Sequence, residues 1–338
     1  MFKEIATPEE LLKFMDNIKY GFVDKEGNKY FKAGDDIWYK KCYVQTGEEI
    51  LKTMVGTCWD QVELERLWFS KNNYNFITIF ARFIGDNDLP THTFLIYEDN
   101  GKWHYFENAY NDYRGIYDFS SVYDAINFVK DKQLEYAIKY YNASKNDELE
   151  CFKYDKLTNG LDVDNYLKHV TKKKIYEINI YDRDGNPTGK KICREASLVK
   201  LNPNEYIGIA VIFIENFNNE FLIQKTSKEK LSKNSSTGGH IDIGETPIDC
   251  IIRETKEELG LDLIKEELTC YDSIIQDYKL IYPFYIKKDV DINDLKLQKE
   301  EVDYVRYISR KELEKLIDEG NFSVTHSFVY NEVIRNKK

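Results

Sequence analysis

The 338-residue chain has no CxxC pair; its six cysteines (Cys42, Cys58, Cys151, Cys193, Cys250 and Cys270) are scattered singly. That spacing signals neither a zinc knuckle nor a disulfide framework. No run of about 18 apolar residues occurs, so no membrane span is expected. The first residues, MFKEIATPEELLKFMDN, lack the apolar core of a secretion signal. A basic excess is also missing. The formal net charge is −11, which argues against a general binder of nucleic-acid backbones while allowing a local basic pocket. No internal repeat is visible. What is present is core material, with 42% hydrophobic and 14% aromatic residues, which excludes a disordered chain. Length and composition together predict a soluble, cytoplasmic, two-domain protein.

Along the chain, Thr7-Pro8-Glu9-Glu10 is a capping box opening a helix over about 8–18. A helical pattern over 61–69 follows, then strand-like runs at 75–83, 91–97 and 102–108. The last two are joined by Glu98-Asp99-Asn100-Gly101, whose Asn-Gly predicts a tight hairpin. A helix is expected near 121–130, and the stretch 142–174 reads as polar and irregular with a short helix-like piece before Thr171, placing a domain boundary near residue 172, within ten residues. The second half begins with two strand-like pieces around Asp184-Gly185. Buried strands are expected at 206–214 and 220–225, with further strands at 278–286 and 302–308. Ser309 to Glu312 caps a closing helix that ends at Gly320. Strands around a central helix, closed by a second helix, imply a mixed sheet with helices on both sides.

The central helix carries the clearest chemistry. Thr246 is a good N-cap, Pro247 fits the first turn, and Gly260 is a natural stop. Ile248, Ile252, Thr255 and Leu259 form its expected apolar stripe, with Glu254, Glu257 and Glu258 largely on the other side. Carboxylates gathered in this way repel unless something positive sits among them. They are hard oxygen ligands suited to Mg²⁺ or Mn²⁺, and a divalent ion so held neutralises a diphosphate and acidifies water. The bland alternative is a solvated acidic face.

The whole stretch, Gly239, five residues, Glu245, seven residues, Arg253-Glu254, a pair, Glu257-Glu258, one residue and Gly260-Leu261, resembles the Nudix box over its full length. Thr255 stands where that family prefers a larger aliphatic side chain. The resemblance implies an α/β/α sandwich and hydrolysis of a nucleoside diphosphate linked to another group. It implies Glu254, Glu257 and Glu258 as metal ligands, with the Gly239 carbonyl as a possible further one. Glu245 and Arg253 would orient loop and helix through a charge pair. Glu300 and Glu301 could approach the metal as a general base, or be solvated charges before a strand. His240 is a ligand, a base or a structural residue. Lys225, Lys228 and Lys230 would meet substrate phosphates or simply be solvated. Flanking segments resemble the branch that contains type I isopentenyl diphosphate isomerase. That enzyme needs a cysteine just before the box, where this chain has Asn234-Ser235-Ser236-Thr237, so isomerisation is not expected.

In the first half, GTCWDQVELERLWF places Cys58 just before a helical pattern, where the helix end favours a thiolate. His92 opens a strand, and Glu107 or Asn108 ends its hairpin partner, the order needed for nucleophile, base and orienter. Residues 50–110 resemble the transglutaminase-like branch of the papain-type fold through Gly56, Cys58, Asp60, His92 and Trp103. Glu107 stands where that family has Asp. Gln45 is a candidate oxyanion donor. A buried, inert Cys58 and a core His92 are the alternative.

The expected architecture is α+β in two domains: a transglutaminase-like (papain-type) cysteine domain over 1–172, then a Nudix α/β/α sandwich with a mixed sheet over 173–338. The expected function is Mg²⁺-dependent (or Mn²⁺-dependent) cleavage of a small nucleoside diphosphate-type substrate, with no general nucleic-acid or membrane partner. Nothing in the sequence specifies an oligomer. Two rival readings stay open: a Cys58–His92 thiol amidase or acyltransferase as the main activity, and a catalytically silent nucleotide sensor.

Overall fold

The computed structural model describes residues 4–31, 35–85, 88–194, 201–227 and 232–336, and of 35 and 36 the backbone alone. Lys228 and Lys230 lie outside the described residues. The chain divides into two compact units, Met1–Tyr176 with Ile192–Leu198, and Glu177–Lys191 with Val199–Lys338. Among the described residues no helix is long and apolar enough to cross a membrane.

The first unit opens with helix α1 (Pro8–Met15), N-capped by Thr7. Helix α2 runs from Cys58 to Lys71, starting three residues before the predicted pattern because Thr57 and Asp60 form a capping box. Every residue from Cys58 to Phe69 is buried, charged ones included, so the helix shows little amphipathic periodicity. An antiparallel sheet follows: β1 (Asn75–Phe83), β2 (His92–Asp99), β3 (Lys102–Glu107) and β4 (Gly115–Phe119), joined beyond β1 by β5 (Leu149–Lys153) and Lys173–Lys174. The β2–β3 hairpin turns at Asn100 and Gly101, both at positive φ. Helix α3 covers 122–141, twice the predicted length, and its Val122, Ala125, Ile126 and Val129 pack on Ile79, Phe94, Ile96 and Tyr105. Leu64, Trp68 and Phe69 of α2 pack with α1 and with Leu95, Tyr97 and Phe106. The segment 142–174 carries the short helix expected before Thr171, Val163–Val170, but its first part, read as irregular, supplies β5 beside β1. LECFK is too short and mixed to announce a strand, and pairing with β1 decides its conformation.

The second unit is built on β6 (Tyr206–Glu215), buried at every position. It pairs in parallel with β9 (Lys279–Lys287) and antiparallel with β8 (Thr237–His240). Strand β7 (Glu220–Thr226) turns back from β6 at Asn219 and pairs with β10 (Val302–Ser309). The sheet is therefore mixed, as expected. Helix α4 (Pro247–Leu259) packs on Ala210, Ile212, Ile214, Leu222, Phe284 and Ile286. Helices α5 (Arg310–Asp318) and α6 (Val324–Val329) follow, and Tyr330 just beyond packs on Phe213 and Phe221 of alternate strand positions.

Candidate functional site

Helix α4 begins and ends where its caps dictate: Thr246 accepts from the Asp249 N–H, and Gly260 adopts φ 69°. Its phase differs from the predicted stripe. Cys250, Ile251, Thr255 and Leu259 are buried, whereas Ile248 and Ile252 are half-buried against the same core. That rotation separates the three glutamates. Glu257 is 53% exposed and Glu254 13%, whereas Glu258 is 9% exposed and accepts from Gln224 Nε2 at 2.9 Å. Glu258 thus lies at the edge of the core rather than on the solvent face. Thr255, in a wholly buried position, resolves its hydroxyl internally by donating to the Ile251 carbonyl at 2.7 Å.

The positive group among the carboxylates is Arg253. Its guanidinium grips Glu245 in a fork, Nε to Oε1 at 2.7 Å and Nη2 to Oε2 at 3.0 Å. Nη1 reaches Glu254 at 2.9 Å and Glu257 at 3.1 Å, and Nη2 donates to the His240 carbonyl at 3.2 Å. Glu245 also accepts from the Asp242 N–H at 3.1 Å. The Cys250 thiol, pushed up first by burial and then by Glu254, donates to the same His240 carbonyl at 3.2 Å. One helix face therefore holds the approach loop by its backbone. At Gly239 a Cβ would stand 2.0 Å from Glu254 Oε1, so any side chain there would push the Glu254 carboxylate from this position.

Among the described residues, no group of three or more His, Cys, Asp or Glu side chains is disposed to hold a metal ion as it stands. Arg253 Nη1 donates to both Glu254 and Glu257, while Glu258 is bonded to Gln224. The groups themselves, three carboxylates and a glycine backbone pressed against one of them, are hard oxygen donors, a chemistry that suits Mg²⁺ or Mn²⁺ rather than a softer ion. Glu300 and Glu301 present their carbonyls to Ser227, Oγ at 2.7 Å and N at 2.8 Å, and Gln298 N donates to the Glu258 carbonyl at 3.1 Å. This pins the 298–301 segment beside the C-terminal end of α4. Lys225 is half-buried in β7. Two polar pairs escaped sequence reasoning, Gln224–Glu258 and Ser236 Oγ with His326 Nδ1 at 2.8 Å. Burial, then Lys279, lowers His326 to about 4. A lone glutamine in a strand and a histidine 90 positions from its partner leave no local pattern.

The first unit brings its own set together. Thr93 Oγ1 donates to the Cys58 carbonyl at 2.6 Å, tying the start of α2 to the start of β2. Next along β2, His92 Nε2 meets Glu107 Oε2 at 2.7 Å across the hairpin. Tyr105 OH donates to the same oxygen, and the Tyr110 N–H donates to Oε1 at 2.8 Å. Burial alone would lower the imidazole, but the Glu107 charge and the Cys58 contact overcome it and hold His92 raised to about 10. Its Nδ1 is buried without a regular partner. Gln45 is committed elsewhere: Nε2 donates to the Val55 carbonyl at 2.8 Å and Oε1 accepts from Thr53 at 2.6 Å. The suggestion of Gln45 as an oxyanion donor therefore fails, because its amide is spent on local structure. Asp60 caps Thr57 and Gln45 N–H groups at 2.8 Å each, a fastening role. Asn108 lies outside the His92 pair and donates to Gln61 at 2.7 Å.

The NUDIX domain family matches residues 206–328 of this chain. A Nudix hydrolase of Listeria innocua is 33% identical over 132 residues, which is 36% of this chain and 75% of that protein. A Nudix hydrolase of Listeria monocytogenes is 35% identical over the same lengths and shares. A solved structure from Deinococcus radiodurans aligns at 15% identity and TM-score 0.35, over 43% of this chain and 90% of its own. The two Listeria relatives carry the assignment. They define a hydrolase acting on phosphoanhydride bonds, of a class that generally uses divalent metal ions. The chain belongs to the Nudix hydrolase family through its second unit.

Proposed function

We propose that the second unit cleaves a nucleoside diphosphate linked to a further group, using Mg²⁺ or Mn²⁺ held by Glu254, Glu257, Glu258 and the Gly239 carbonyl. The observation that carries this reading is the Arg253 clamp, which fixes Glu245 and the His240 carbonyl and so sets the Gly239 backbone against Glu254. Bound there, the divalent ion would supply charge neutralisation for the diphosphate and a more acidic water. The residues of the chain do the rest. Gln224 fixes the rotamer of Glu258 from below, while Glu257 faces solvent, where an incoming phosphate arrives. Arg253 keeps the carboxylates compatible with one another before the ion binds. Glu300 or Glu301 is the proposed general base, carried on the segment pinned beside α4. Glu257→Gln should lose Mg²⁺-stimulated release of nucleoside monophosphate and also weaken Mn²⁺ binding followed by electron paramagnetic resonance. Retention of both would defeat the ligand assignment.

A second reading concerns the first unit, and the His92–Glu107 pair at 2.7 Å favours it. We propose that residues 1–172 form a transglutaminase-like domain in which Cys58 is a nucleophile, His92 its base and Glu107 the orienter. Glu107 is longer than the family's Asp, and Tyr105 OH and Tyr110 N–H supply the two extra anchors its carboxylate uses. Cys58 should then be alkylated by iodoacetamide faster than an ordinary thiol at pH 7, and His92→Ala should abolish the difference. Ordinary reactivity in the wild type would remove this reading.

A further inference from the structure

An acyl-transferring thiol needs, besides base and orienter, a preorganised donor where the carbonyl oxygen becomes an anion. Such a donor must be buried near the thiol and not already spent. Around Cys58 the obvious groups are spent: Gln45 on Val55 and Asp60, Asn108 on Gln61, and Tyr105 on Glu107. Tyr110 and Tyr166 both keep a buried hydroxyl without a hydrogen-bond partner, but Tyr166 stacks on Trp59 and Tyr110 on His92. Tyr110 is 9% exposed. An orphaned buried donor is costly, and a site shaped to receive an oxygen accounts for that cost.

The ring of Tyr110 is also held on two sides beside His92. It stacks on the imidazole at 4.1 Å and 11°, and its other face stacks on Tyr136 at 4.7 Å and 19°. Its backbone N–H is anchored to Glu107 Oε1, the carboxylate that orients His92. Hydroxyl, imidazole and carboxylate thus form one rigid block. We propose that the Tyr110 hydroxyl is the oxyanion donor of the Cys58 site, which makes the substrate of the first unit an acyl compound carrying a carbonyl next to its leaving group. This inference rests on the thiol reading above. Burial first, then the charge of Cys58, holds the phenol well above its ordinary range, so it enters the reaction as a donor.

The step balances within the chain. The Cys58 thiol gives its proton to His92, its sulfur bonds to the carbonyl carbon, and the carbonyl π pair moves to oxygen, where the Tyr110 O–H donates to it. The pair returns to re-form the carbonyl, the bond to the leaving group breaks, and an amine leaving group takes its proton from the His92 imidazolium. The thioester left on Cys58 is then opened by water or an amine acceptor.

The test uses the full-length chain with two reagents aimed at the same sulfur. Iodoacetamide alkylates it by displacement at a saturated carbon and forms no oxyanion, whereas p-nitrophenyl acetate acylates it through one. Both adducts are located on Cys58 by peptide mass mapping. Tyr110→Phe keeps both ring stacks and removes only the hydroxyl. We expect acylation to fall on the order of 100-fold while the alkylation rate stays unchanged. Equal loss with both reagents, or no loss with either, overturns the oxyanion role. If wild type and His92→Ala are alkylated at the same rate, the thiol reading itself is wrong and takes this inference with it.

Discussion

Replacing Arg253 by Met keeps the length and apolar stem of the side chain and deletes its guanidinium. Glu245 loses the fork at 2.7 and 3.0 Å and keeps only the Asp242 N–H at 3.1 Å. The His240 carbonyl keeps the Cys250 thiol at 3.2 Å. Arg253 and Glu245 are 26% and 20% exposed, so the pair is neither free in water nor fully buried. Exposed pairs are worth about 0–1 kcal/mol, and breaking a buried one costs about 3–5 kcal/mol. An intermediate cost of about 2 kcal/mol follows, concentrated in the loop 239–246 because that is what the arginine holds. Two kcal/mol is a factor of about 30 in a local opening equilibrium. Amide hydrogen exchange over the peptides covering 239–246 should accelerate by up to that factor, while β6 stays protected. Arg253→Lys should restore part of the protection, since a point charge cannot reproduce the fork. Wild-type exchange in the Arg253→Met loop would refute the view that this side chain fixes the approach to the carboxylates.

Other consequences are as direct. Thr255→Val removes a buried hydroxyl that satisfies itself only on its own helix, so stability to urea should be unchanged or rise by up to about 1 kcal/mol. A loss beyond that would mean the hydroxyl has a further task. His326 is held at about 4 by burial, below its unfolded value near 6.5, so the unfolded chain takes the extra proton between those values. Its contribution is complete above pH 6.5 and is lost as pH falls toward 4; a His326→Gln chain should show a shallower acid loss of stability in this window. His92 has the opposite sign: raised to about 10, it stabilises at neutral pH and that contribution fades as pH rises through 10. The wild type should therefore lose stability more steeply than a His92→Gln chain as pH rises from about 6.5 to about 10, and equal slopes would contradict the buried pair with Glu107.

The legible parts of the sequence were those where a local rule decides the conformation. Thr246, Pro247 and Gly260 fix both ends of α4 because caps act within one turn. Asn100-Gly101 fixes the hairpin that carries His92 and Glu107 to opposite sides of one pair, because the turn sets the register. The rest depended on contacts far along the chain. The phase of α4 is set by packing on β6 and β9, which favours Cys250 and Ile251 over Ile248 and Ile252. Strand β5 exists because β1 offers it an edge. Helix α2 buries Asp60, Gln61, Glu63, Glu65 and Arg66, which periodicity reads as a solvent face. The glutamates were found as a set, but their unequal burial was not, because Gln224 lies on another strand. Nothing local singles out Tyr105 or Tyr110; the bonds of the Tyr105 hydroxyl and the Tyr110 N–H to Glu107 arise only in the fold.

The most direct test of the central claim is Mg²⁺-dependent turnover of a panel of nucleoside diphosphate conjugates by the full-length chain, wild type against Glu257→Gln. Glu257 is exposed and its loss leaves the core untouched. The account predicts metal-dependent cleavage of at least one conjugate by the wild type and its near-complete loss in the variant at unchanged thermal stability. Equal turnover by the two proteins would contradict the assignment of the glutamate helix as the site of phosphoanhydride hydrolysis.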